Sequence, residues 1–132
     1  MSIWTHVSGS IRLDAYNRDN VKDDVKNRKI IKRLLNNHIP SGSEGDLQYR
    51  IITNKSMNCL ESYRIIVWAD LRSHKDTKDI EYWYKQFIRN IKRYGSMDIR
   101  DSVIVAEVES RERIILNYKE QYPRWGIIKF VA

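Results

Sequence analysis

A single cysteine, Cys59, excludes an intramolecular disulfide and makes a reducing cytosol the expected compartment. The N-terminus lacks a charged-then-apolar signal, and the longest apolar runs are far too short to cross a bilayer. A soluble, intracellular chain with no membrane partner is therefore expected. The three histidines, His6, His38 and His74, fall in unrelated places, and no HxH, HExxH or CxxC spacing exists. No metal and no cofactor are expected. Phosphate motifs of the GxxxxGK[ST] and GxGxxG kinds are missing too, as is the aromatic RNP1 pattern of sheet-based RNA binders. Cys59 has no assignable histidine partner to activate it as a nucleophile. Glu107 and Glu109 share a strand face and are the one candidate acid–base or metal pair. Nearby Arg111 and Arg113 neutralise them, so they read better as a solvated strand edge. No catalytic residue, and no enzyme, is expected.

Positive charge, by contrast, is plentiful. Twenty-four Lys and Arg against seventeen Asp and Glu give a net charge of +7. Such a surface attracts phosphate-rich or acidic partners at long range, although solubility alone also explains it. At 132 residues, one domain with a core of its own is expected over 1–132.

Hydrophobic periodicity orders the chain. Ile3 to Leu13 alternates as a strand, with Ile3, Val7, Ile11 and Leu13 on one side and Trp4, His6, Ser8, Ser10 and Arg12 on the other. Gly9, on the buried side, suggests a bulge or the close approach of a helix. A first helix spans about 20–37, with Val21, Val25, Ile30, Ile31, Leu34 and Leu35 apolar and a basic outer face that includes Arg28. Leu47 to Thr53 and Tyr63 to Leu71 read as the next strands. Asp76 to Tyr94 is the clearest helix, with Ile80, Trp83, Tyr84, Phe87, Ile88 and Ile91 on one face. Asp76 is its expected N-cap and Gly95 its expected stop. A linker over 96–101 leads to a strand over 102–110. A hairpin strand follows over 113–118, then a break at Pro123 and a last strand over 125–131.

This order predicts an α+β fold. A ferredoxin-like split β-α-β sandwich satisfies it, with two helices on one face of an antiparallel sheet and a C-terminal β extension. The first and third strands are then central neighbours. If the helices cover Val7, Ile11, Ile65 and Val67, the open face carries Trp4, His6, Ser10, Arg12, Arg50, Arg64, Ile66 and Trp68. Aromatic rings among arginines can stack bases and hold phosphates. The same exposed Trp4, Ile66 and Trp68 can equally bury themselves against a second copy or another protein. The turn Ser41-Gly42-Ser43-Glu44-Gly45 offers two glycines and two hydroxyls for a backbone nest around an anion, or simply shapes the strand after it.

Three segments carry a resemblance: Trp4-Thr5-His6-Val7 with Gly9 and Ile11-Arg12-Leu13-Asp14, the turn Pro40-Ser41-Gly42-Ser43-Glu44-Gly45, and Asp70-Leu71-Arg72. Together they resemble small accessory proteins of bacteriophages and prophages. The resemblance implies a protein of the host cytoplasm that blocks or sequesters a component of host immunity. It carries over no catalytic residues. Combined with the charge, it gives the expected function: a non-enzymatic homo-oligomer that binds a phosphate-bearing ligand, such as a cyclic nucleotide signal, or a host defence protein. The expected ligand residues are Trp4, His6, Arg12, Ser41, Gly42, Ser43, Gly45, Arg64, Trp68 and Arg72. The alternative is a single-stranded nucleic-acid binder using the same aromatic and arginine face.

Overall fold

The computed structural model describes residues 3–16, 22–55, 60–73, 77–95, 97–119 and 122–131. Cys59, His74 and the expected cap Asp76 lie outside them. In chain order the elements are β1 (Trp4–Tyr16), α1 (Lys22–Asn36), β2 (Ser41–Gly42), β3 (Gly45–Asp46), β4 (Gln48–Lys55) and β5 (Leu60–Arg72). Then come α2 (Lys78–Asn90), β6 (Met97–Val108), β7 (Glu112–Lys119) and β8 (Tyr122–Val131). Six strands form one antiparallel sheet in the order β4-β5-β1-β6-β7-β8, and β2 and β3 make a separate two-stranded ribbon. The chain is thus α+β, with both helices on one side of the sheet and β1 at its centre.

The helix-facing side is built by period-two alternation. Val7, Ile11 and Leu13 of β1 pack with Ile65, Val67 and Leu71 of β5 and with Ile104 and Ala106 of β6, all buried. Against them lies the apolar stripe of α2: Ile80, Trp83, Tyr84, Phe87 and Ile88, none more than 1% exposed. Each such side chain contributes about 1.5–3 kcal/mol of burial. Trp83 Nε1 also donates to the Leu35 carbonyl at 2.8 Å, which ties α2 to the last turn of α1. Asp79 Oδ1 accepts from the Ile80 N–H in the first turn, where the helix leaves such donors unpaired. The other end does not stop short of Gly95 but widens into a π-helical turn, Ile91–Gly95.

Four local expectations are corrected. Gly9 meets neither a helix nor a bulge: a Cβ there would sit 2.2 Å from the Val103 carbonyl oxygen and 2.7 Å from Ile104 Cα, so it is the neighbouring strand that excludes a side chain. The irregularity lies instead between Arg12 and Leu13, where the β1–β6 register shifts. The segment expected as a linker over 96–101 belongs largely to β6, because Met97 and Ile99 continue the buried alternation. Pro123 does not break β8; it lies beside a second register shift, on the last strand of the sheet, where a missing N–H is tolerated. Val25 of α1 is 57% exposed, because Asp24, Asn27 and Arg28 turn inward in its place. Arg28 donates to Thr53 Oγ1 at 2.6 Å and to the Ile51 carbonyl at 3.1 Å, and Tyr63 lies 2.9 Å from Asp24 and 2.7 Å from Glu61. Burial among these carboxylates holds the Tyr63 phenol well above its ordinary range.

Candidate binding face

Alternation that buries Val7 and Ile65 necessarily turns their neighbours outward, and the side of the sheet away from the helices carries them in rows. Register places Asp70, His6 and Glu107 side by side across β5, β1 and β6; below them come Trp68, Ser8 and Val105. The next row is Ile66, Ser10 and Val103, and the last is Arg64, Arg12 and Asp101. Arg50 of β4 stands beside Ile66. The face therefore has an acidic end, an apolar middle and a basic end. Trp68, Ile66 and Val103 are 47%, 37% and 41% exposed, high values for large apolar side chains, on the two strands that flank β1.

At the acidic end His6 is clamped. Its Nδ1 lies 2.6 Å from Asp70 Oδ1 and its Nε2 lies 2.8 Å from Glu109 Oε1. Two carboxylate acceptors want two N–H donors, so these hydrogen bonds, Asp70 first, raise the imidazole above its ordinary range. Both ring nitrogens are thus engaged by carboxylates from neighbouring segments. Glu109 sits in the turn after β6, and its N–H donates to the Trp4 carbonyl at 3.0 Å. Glu107 and Glu109 thus do not act as a pair on one strand: the first lies opposite Arg113 on β7, the second holds His6.

Above that row, Trp4 and Arg72 are cross-strand partners, with the guanidinium 5.9 Å from the indole centre. Arg72 also binds Glu44 at 2.8 Å, and its carbonyl accepts the Ser43 N–H at 2.9 Å. The Ser41–Asp46 ribbon is consequently a clasp on the end of β5. Gly42 is needed because a Cβ there would lie 2.7 Å from the Arg72 nitrogen, and Gly45 because its φ is 144°. One amide of the expected anion nest is already used.

The basic end is organised differently. Arg12 and Arg64 face each other directly across β1 and β5. Asp14, buried behind them, binds Arg100 Nε at 2.5 Å, accepts from Ser62 at 2.7 Å and lies 3.7 Å from Arg12. Burial alone would raise its carboxyl, but those hydrogen bonds and the two arginines outweigh it and hold the group below its ordinary range. Among the described residues neither Arg64 nor Arg50 has an ion-pair partner.

The ten residues expected to hold a ligand thus fall into two groups. Trp4, His6, Ser41, Gly42, Ser43, Gly45 and Arg72 gather at the clasp corner, while Arg12 and Arg64 lie at the opposite end, with Trp68 between. Sequence reasoning missed the roles of Asp14, Arg100 and Glu109. Their partners are distant in the chain, and no local spacing marks them.

No protein-family model matches the chain, and no curated protein matches it. Among solved structures, the crystal structure of aldoxime dehydratase is similar over 88% of this chain, with 8% identity and a TM-score of 0.47. The similar region spans 34% of that protein's length.

Proposed function

We propose that this chain is a non-catalytic binding protein that takes a phosphate-bearing ligand of nucleotide type on the basic half of its open sheet face. The observation that carries this reading is the Arg12–Arg64 pair: like charges directly opposite each other are destabilising in an antiparallel pair, and an anion lying across them relieves the repulsion. Trp68 and Ile66 supply the adjoining stacking surface. Trp68 and Arg64 are four residues apart, about 13 Å along the strand, which favours a ligand with more than one phosphate. A cyclic dinucleotide and a short single strand both have that reach, so the nucleic-acid reading is kept as the second one.

Two finer readings belong with this proposal. The order β4-β5-β1-β6, with helices following β1 and β5, supports a ferredoxin-like split β-α-β core extended by β7 and β8. The likeness of three segments to phage accessory proteins supports a counter-defence role in the host cytoplasm, by sequestering a nucleotide signal or by blocking a defence protein.

The test is a tryptophan-fluorescence titration of the wild-type chain and of Arg64→Ala with cyclic dinucleotides and with single-stranded oligonucleotides. Binding that weakens roughly 10-fold or more in Arg64→Ala supports the reading. Oligonucleotide affinity that also falls steeply with salt selects the second. Titrations in which no ligand binds, or in which Arg64→Ala binds as wild type does, refute both.

A further inference from the structure

The open face is polarised along its strands, and that polarity makes it complementary to itself. Asp70, Glu107 and Glu109 lie at one end, accompanied by His6, Arg113 and the Arg72–Glu44 pair; Arg12 and Arg64 lie at the other, with Arg50 one row nearer the middle, Asp101 and the buried Asp14–Arg100 pair. The apolar rows lie midway. We propose that a second copy of this chain covers this face, related by a two-fold axis that runs across the strands in the plane between the two sheets, level with the gap between Ser8 and Ser10.

Such an axis reverses position along the strands and keeps position across them. Each row then meets a defined counterpart. Asp70 faces the partner's Arg64, Trp68 faces the partner's Ile66, and Val105 faces the partner's Val103. Because the interface is isologous, every one of these contacts occurs twice. Ser8 and Ser10, the small residues on β1, lie under the axis, where the two sheets approach closest. Two juxtapositions are unfavourable: Glu107 with the partner's Asp101, which Arg113 beside Glu107 offsets, and His6 with the partner's Arg12, which Asp70 and Glu109 on either side of the imidazole offset.

The size is adequate. From β4 to β7 the patch is about 20 Å wide, and from Asp70 to Arg64 it is about 20 Å long. Allowing for side-chain relief, roughly 800 Å² per copy is covered, the size of a standard stable interface. Aligned packing of two twisted sheets, about 10 Å apart, is an ordinary way to bury such faces. The exposed Trp68 at its centre is the residue type that most often anchors an interface.

The dimer uses the surface on which the ligand reading also rests, so Arg64 has two anionic claimants: the partner's Asp70 and a ligand phosphate. A phosphate-bearing ligand therefore competes with dimerisation. The test is sedimentation equilibrium without any ligand, so that failure of the ligand reading leaves its result untouched. Over roughly 1–100 μM the wild type should approach twice the 15.8 kDa chain mass. Trp68→Glu should weaken association roughly 100-fold or more. Arg64→Asp and Asp70→Arg should each give monomers, because each breaks both copies of the contact, and the chain carrying both changes should dimerise again. All these positions are exposed, and circular dichroism checks that each variant folds. A wild type that stays monomeric throughout, a Trp68→Glu chain that stays dimeric, or folded single swaps that their combination does not rescue would each overturn the proposal.

Discussion

Replacing His6 with glutamine and following stability against pH isolates the clamp between β1, β5 and the turn after β6. In the folded chain Asp70 and Glu109 both favour the imidazolium, so the pKa of His6 is raised above its unfolded value of about 6.5. A group raised on folding stabilises fully below its unfolded pKa, and the benefit is lost as pH rises through the folded pKa. The three side chains are 45%, 72% and 45% exposed, for His6, Asp70 and Glu109. Solvent screening therefore limits each pair to about 0.2–1 kcal/mol, and the clamp to about 1 kcal/mol in all. With an m-value of about 1–3 kcal/mol per molar urea, wild type should exceed His6→Gln by about 0.3–1 M in midpoint near pH 5.5. That advantage should shrink towards zero by about pH 9, and added salt should diminish it at the lower pH. An advantage that grows with pH would show that the imidazole is bound as its neutral form and would refute the argument.

Other outcomes follow from the same geometry. Gly9→Ala should destabilise by about 3 kcal/mol in urea unfolding, since the new methyl must push the central β1–β6 pair apart at Val103 and Ile104. Trp83→Ala should cost about 3–5 kcal/mol in the same assay, combining a large cavity with a lost bond to Leu35. The Asp14 carboxyl, lowered on folding, contributes stability above its unfolded pKa that is lost as pH falls through its folded one. Asp14→Asn should therefore lower stability at neutral pH by about 2 kcal/mol and flatten the acid limb of a thermal-melting profile. At a concentration low enough to keep the chain monomeric, Arg64→Ala should leave the melting temperature nearly unchanged, because no ion-pair partner among the described residues is lost with it.

Much of the architecture was legible because burial leaves a period. The two-residue alternation of Trp4 to Leu13 and the 3.6-residue stripe of Ile80 to Ile91 specify which side each residue faces, whatever lies opposite. The same alternation assigns Arg12, Arg64, Ile66 and Trp68 to the open face. The helical period misplaces Val25 because it counts apolar residues only. It cannot register that Asp24, Asn27 and Arg28 reach partners in β4 and β5. The same blindness hid Gly9, whose constraint comes from the backbone of a strand some 95 residues later. His6 was singled out as a strand histidine, yet its partners are 64 and 103 residues away, so nothing near it in the chain announces a clamp. Asp70-Leu71-Arg72 and the Ser-Gly-Ser-Glu-Gly turn are separate features along the chain. Only the third dimension joins them, through Arg72 and Glu44.

The placement of β1 has a consequence in time as well as space. The strand made first occupies the centre of the sheet, and its two neighbours are β5 and then β6, which begins only at Met97. During synthesis at about 5–20 residues per second, β1 waits with both backbone edges unsatisfied until β5 emerges, and with one edge open for seconds more. A nascent strand with free edges recruits other strands. The polar and charged residues that alternate along it, His6, Ser8, Ser10 and Arg12, keep one side of that waiting strand unattractive to hydrophobic neighbours. A ribosome stalled before β6 is complete should hold a chain in which β1 pairs with β5 alone, and the second edge of β1 should close only late in translation.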